Sequence, residues 1–158
     1  MRCDTAGPVV RGADRDAVHG TVAGRGERIP VVVCPAGHRL PVALAVRAAE
    51  VTREALPHGQ RRRLRRHDGC GRCGEALTMP VRRTERAVTV TDGDDVPVTT
   101  LRFDVPTTRC PDCGADQVPV RSQADLAAVI DALFSPPPEA PQVATADEVT
   151  PGPAPDGR

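Results

Sequence analysis

Two short cysteine motifs constrain this chain more than any other feature. They are Cys70-Gly71-Arg72-Cys73-Gly74 and Cys110-Pro111-Asp112-Cys113-Gly114. A two-residue gap lets one tight turn point both thiolates at a common point, and the glycine that follows accepts the backbone geometry that turns the chain away. Two such knuckles supply four soft sulfur ligands, the tetrahedral donor set that structural zinc prefers. Cys70, Cys73, Cys110 and Cys113 are therefore the expected metal ligands, and Zn2+ the expected cofactor.

The chain has 158 residues, with 21 acidic and 21 basic side chains. Only Phe103 and Phe134 are aromatic, and Lys, Asn, Trp and Tyr are absent. A core of Val, Leu and Ala with two Phe is small, and small domains often add a metal or a disulfide to a core of this kind. The first 28 residues hold no apolar run resembling a signal peptide. Leu40–Val46, the longest apolar segment, is far too short to span a bilayer. A cytoplasmic protein without membrane contact is expected, and in that compartment paired thiols signal metal more often than disulfides.

The apolar pattern divides the chain into four stretches. Residues 1–28 mix Gly, Arg, Asp and Ala without period and read as a disordered leader. Residues 29–66 read as a β-hairpin, Ile29–Cys34 against Leu40–Val46 and pinched at 34–38. A short helix over Ala48–Leu56 and a helical fragment over Gln60–Arg66 follow. Residues 67–134 hold the two knuckles with a hairpin between them. Arg86, Val88 and Val90 alternate, Asp92-Gly93 signals a turn, and a bulge near Thr99 or Thr100 brings Leu101, Phe103 and Val105 to the buried face. Gln117–Val120 can add a short strand. A closing helix is expected to open at Ser122 as N-cap, with Asp125 completing a capping box and Leu126, Val129, Ile130 and Leu133 on one face. Residues 135–158, with seven prolines, read as a disordered tail. The expected fold class is α+β: a small zinc ribbon plus one closing helix, with disordered termini.

Other readings of the thiols stay open. Cys-x-x-Cys also serves redox chemistry, usually at the start of a helix whose amides lower the thiol pKa. Pro80 and Pro119 leave little room for such a helix after either knuckle. Four thiolates leave no open metal position for water, which argues against catalytic zinc. Cys34 and His38 form a candidate second site, or else a buried thiol beside a polar turn. Cys34 and His38 with Cys70 and Cys73 make a competing ligand set, and Cys3, His19, His58 or His67 could join a second ion.

Arg61, Arg62, Arg63, Arg65 and Arg66 abut the first knuckle and form a candidate anion-binding patch. The plainer reading is a solvated loop enriched in arginine. Without Tyr or Trp to stack on bases, nucleic-acid binding here would be backbone-directed and salt-dependent. No Ser/His/Asp set, phosphate loop or paired-carboxylate constellation occurs. These observations point to a non-enzymatic, zinc-stabilised module that binds a protein or a nucleic-acid backbone, with no small-molecule substrate evident.

From Cys70 to Leu133 the chain resembles the zinc-binding domain of MqsA/YgiT-type antitoxins. The matching residues are the Cys-x-x-Cys-Gly motif at Cys70, Leu77, two hairpin strands, Val105-Pro106, the second motif at Cys110, and a closing helix. The resemblance implies one structural zinc on Cys70, Cys73, Cys110 and Cys113, and a small toxin as partner. That family's C-terminal helix-turn-helix has no counterpart after Phe134. The first expected hairpin is also similar to the CpXC-type bacterial zinc domain.

Overall fold

A computed structural model describes residues 9–33, 44–92 and 94–135. The fold is α+β. Five antiparallel strands and two helices run in the order β1 (Val9–His19), β2 (Val22–Val33), α1 (Leu44–Ala55), β3 (Arg82–Thr91), β4 (Pro97–Arg109), β5 (Asp116–Gln117) and α2 (Val120–Phe134). The main path of the sheet is β1-β2-β4-β3, and β5 pairs with the end of β4. No helix among the described residues is long and apolar enough to cross a membrane.

The β1–β2 hairpin corrects the expected leader, because residues 9–28 lie in it. Its turn is the two-residue Gly20-Thr21, with Gly20 at φ +53°. The strands escaped a reading by alternation for two reasons. Facing the core, β2 presents Val22, Gly24, Gly26 and Ile29, of which two carry no side chain. In addition, the register shifts between Ala13 and Arg15, where Arg28 adopts φ +50° and its amide donates to Asp14. That bulge reverses the parity of the strand.

Ile29–Val33 is strand as expected, but its partner is Val9–Ala13 rather than the segment after residue 38. Leu44 and Val46 belong to α1, not to a strand. Leu44, Ala48, Val51, Thr52 and Ala55 turn toward the core at helical spacing, while Val46 is 66% exposed. The alternation at 40–46 is compatible with both periods over so short a span. Cys34, His38 and the expected turn at 34–38 lie outside the described residues, as do Cys3 and residues 136–158.

The expected hairpin between the knuckles is β3–β4. Its bulge falls one residue earlier than expected: Val90 pairs with Thr99 and Thr91 with Pro97, leaving Val98 unmatched. Thr99, Leu101, Phe103 and Val105 then all face inward. Gln60–Arg66 is not helical, since Gln60 exchanges both main-chain hydrogen bonds with Gly69 and so closes a loop over residues 61–68.

Helix α2 packs on β1, β2 and β4, while α1 packs on β3 and against α2. The core is formed by Phe103, Leu101, Ile29, Leu56 and Val118 with the α2 residues Leu126, Val129, Ile130 and Leu133. Gly24 lets α2 approach, because a Cβ there would stand 2.5 Å from Val129. The other face of the sheet carries cross-strand ion pairs, Arg83–Asp104 at 2.9 Å and Arg102–Glu27 at 3.3 Å. It reads as solvated.

Helix α2 begins two residues before the expected cap. Pro119 is its N-cap, the amide of Val120 donates to Asp68 at 2.9 Å, and Ser122 is buried in the first turn. A cap supplied from a distant segment removes the need for a hydroxyl. Asp125 accepts from His19 and from the amide of Thr21, which fastens the β1–β2 turn to the helix. At the other end, the guanidinium of Arg15 donates to the carbonyls of Leu133 and Ser135. A cation there also complements the helix dipole.

Candidate metal centre

The two knuckles form the same local structure. In the first, the amide of Cys70 donates to the carbonyl of Glu75 at 2.7 Å, and the amide of Gly74 donates to the carbonyl of Cys70 at 2.9 Å. In the second, Cys110 donates to Ala115 at 2.9 Å, and Gly114 to Cys110 at 3.0 Å. Gly74 sits at φ +78° and Gly114 at φ +72°, a conformation that a side chain makes costly. Local sequence therefore builds each half of the site.

Tertiary structure joins the halves. The second knuckle lies between β4 and β5, whose pairing of Thr108 with Gln117 and Arg109 with Asp116 closes it as a tight hairpin. The first is held by the bridges Gln60–Gly69 and Gly69–Ala76, and by His58 against Val118 just beyond β5. As a result the four sulfurs of Cys70, Cys73, Cys110 and Cys113 all lie within 4.8 Å of one another. Cys70 and Cys110 are buried, with Leu77 packed against them, and Cys73 and Cys113 are exposed.

The sulfur geometry tests the fit of an ion. Cys70 lies 3.6 Å from Cys113, and Cys73 lies 3.6 Å from Cys110. A tetrahedron with metal–sulfur bonds of about 2.3 Å has edges of about 3.8 Å. A disulfide requires about 2.05 Å. The donor set fits a tetrahedral ion, and both 3.6 Å contacts cross from one knuckle to the other. The four-cysteine site expected from the sequence is thus brought together in the fold.

Hydrogen bonds single out Cys70. Burial would push its thiol up, but the amides of Cys73 and Arg72 and the side-chain amide of Gln117 outweigh this and bring it to about 6. Cys73 behaves oppositely. The amide of Glu75 favours its thiolate, yet burial and the three neighbouring thiols push it up to about 12. Cys113 is also raised, with the amide of Ala115 opposing burial and the sulfurs of Cys70 and Cys110. Four sulfurs this close cannot all ionise without a cation among them.

Gln117 is a residue that sequence reasoning missed. It is fully buried, donates through Nε2 to Cys70 Sγ, and accepts the Gly71 amide on Oε1 at 2.8 Å. A Gln four residues past the second knuckle carries no signal by itself. Its role exists only because β5 lies beside the first knuckle. Near the second knuckle, Arg109 donates to both carboxylate oxygens of Asp116, at 3.0 and 3.2 Å. That pairing holds Asp116 below the usual carboxylate range, with Arg86 and Arg82 adding to it.

The remaining candidates are dispersed. His19 pairs with Asp125 at 3.1 Å. His58 lines a cleft between the helices, and burial followed by the charge of Arg53 lowers its pKa. His67 lies on the exposed loop. Among the described residues, no other group of three or more His, Cys, Asp or Glu side chains converges as the four cysteines do. Arg61, Arg63, Arg65 and Arg66 are exposed on the 61–68 loop, with Leu64 99% exposed between them. Arg62 lies along Gly69. Among the described residues, none of these five arginines enters an ion pair. Arg61, Arg66 and Arg121 of α2 line a groove of about 550 Å³ together with Asp68, Leu77, Met79 and Val81.

No protein-family model, curated protein or solved structure matches this chain.

Proposed function

We propose that this chain is a non-enzymatic binding module, stabilised by one structural zinc, that presents an arginine loop to an anionic partner. The observation that carries the reading is the sulfur tetrahedron. All four ligand positions are filled by cysteine, which suits a structural ion and leaves no place for a reacting water. The 61–68 loop is anchored at its base to Gly69, directly before the first ligand. A bound ion therefore fixes the base of the loop, and the loop carries five arginines that enter no ion pair among the described residues.

The partner is an acidic protein surface or a nucleic-acid backbone. The mixed basic and apolar groove beside the loop favours the protein surface. The MqsA/YgiT-type resemblance belongs to this reading as a narrower form, in which the partner is a small toxin. The β3–β4 hairpin between the knuckles and the closing helix α2 support it. A thiol redox role draws less support, because the four sulfurs converge as one group from both knuckles and neither motif opens a helix.

The test measures binding of an acidic peptide and of duplex DNA at low and high salt. It compares the native chain with a variant carrying Arg→Gln at 61, 63, 65 and 66, after both are shown to retain zinc. Loss of binding in the variant, with a weaker salt dependence, is expected. Equal binding by both proteins would remove the loop from the function, and native mass spectrometry without a bound zinc would remove the ion.

A further inference from the structure

The groove beside the arginine loop carries positive charge that its own lining does not balance. Arg61, Arg66 and Arg121 line it, and none of the three enters an ion pair among the described residues. Asp68 is the one carboxylate in that lining, and it already accepts the Val120 amide at 2.9 Å. Arg121 stands in the first turn of α2, which holds no acidic residue. Met79 and Val81, 40% and 43% exposed, add apolar surface to the same groove. A fitting occupant brings two negative charges beside a small apolar side chain.

One stretch of this chain has that composition. Residues 136–158 carry Glu139, Asp147, Glu148 and Asp156 against Arg158 alone. Within them Gln142–Thr150 is the longest run without proline, and it holds the adjacent pair Asp147-Glu148 flanked by Val143 and Val149. Reach selects among the acidic residues. Arg121 and Ser135 lie 14 residues apart along α2, which is about 21 Å at 1.5 Å per residue. Asp147 is 12 residues beyond Ser135, a span of up to about 40 Å, so it returns to Arg121 with slack. Glu139 is only four residues beyond, about 13 Å, and falls short. Asp156 is offset by Arg158 two residues on.

We propose that Val143–Val149 docks in this groove, with Asp147 and Glu148 on Arg61, Arg66 and Arg121 and a valine against Met79 and Val81. The chain then carries its own competitor for the arginine loop. That competition rests on the binding role proposed above for the loop, whereas the docking itself does not. Exposed ion pairs are individually weak. A tethered segment, however, meets its site at an effective concentration on the order of millimolar, so weak contacts suffice to fill it.

The experiment records amide NMR spectra of the zinc-loaded full chain, native and with Asp147→Asn and Glu148→Gln together. The amides of Leu77, Met79, Val81 and Arg121 should shift in the double variant, and the native chain should approach the same positions as salt is raised. Glu139→Gln should leave them in place. A hexaglutamate peptide should bind the double variant about threefold to tenfold more tightly than the native chain, since the competitor is weakened. Unmoved amides in the double variant, or equal shifts from Glu139→Gln, would overturn the docking. Shifts that grow with protein concentration would overturn its intramolecular form and place the segment in the groove of a second copy. Shifted amides with no peptide binding to either protein would uphold the docking and remove the loop's external partner. Equal peptide binding with unmoved amides would do the reverse.

Discussion

Gln117 bridges the two halves of the four-cysteine site: from the β5 side it donates to Cys70 Sγ and accepts from the amide of Gly71, both in the first knuckle. Outer contacts of this kind orient a ligand and tune its basicity. Gln117→Leu keeps the approximate volume but leaves the Gly71 amide without its acceptor and removes one of three donors to the Cys70 sulfur, the amides of Arg72 and Cys73 remaining. Zinc affinity should fall by about 10- to 100-fold, measured by competition with a chromophoric chelator. Unaltered affinity would mean that Gln117 only fills space.

Removing the metal should act unevenly on the fold. Cys70, Leu77 and Cys110 form a cluster separate from the main core. Chelation or Cys70→Ser should therefore expose the amides of residues 57–78 and 110–118 to hydrogen exchange first. The sheet core around Phe103 should follow at a lower temperature than in the loaded protein. Structural zinc contributes about 10–16 kcal/mol in small peptides, and the independent core here makes the loss smaller. Unchanged exchange after verified metal removal would contradict this account.

Asp125 gives a pH-dependent contribution with a defined sign. The hydrogen bond from His19, then that from the Thr21 amide, holds its carboxyl below the usual range. A depressed folded pKa stabilises the fold above the unfolded value of about 3.9, and the contribution disappears as pH falls through the lower folded value. Asp125→Asn should be less stable than the native chain at neutral pH, by the small amount an exposed pair supplies. The two melting curves should converge in acid. A difference that persists there would place the effect elsewhere.

Arg28 holds a left-handed conformation at the β1–β2 bulge, φ +50°, while its amide serves Asp14. Glycine adopts that geometry freely and keeps the amide. Arg28→Gly should stabilise the protein by up to about 1 kcal/mol, the gain being limited by the added freedom of the unfolded chain. Denaturant midpoints would show it, and a lower midpoint would indicate that the arginine side chain makes a stabilising contact.

Gly24 marks the closest approach of sheet and helix. A methyl group there would meet Val129 at 2.5 Å and Phe103 at 3.1 Å. Gly24→Ala should cost about 1–3 kcal/mol through overpacking, read from the same midpoints. A neutral result would mean that α2 shifts freely over β2.

The sequence by itself determined the features in which neighbouring residues act on one another. Cys-x-x-Cys-Gly specifies a knuckle because its thiols, amides and left-handed glycine all lie within five residues. The β3–β4 alternation and the apolar stripe of α2 are likewise local periods. What only the tertiary structure decided depends on approach from a distance. Gly24 and Gly26 read as part of the leader, yet Gly24 is the point at which α2 rests on the sheet and Gly26 faces Ile29 and Leu101 in the core. Asp68 replaces the expected Ser122 cap because the chain returns to Val120, and Asp125 serves a hairpin more than a hundred residues earlier in the chain. Gln117 becomes part of the four-cysteine site for the same reason. A side chain's partner is local when chain connectivity supplies it and invisible in sequence when packing does, and this fold uses packing to bring its two legible half-sites together.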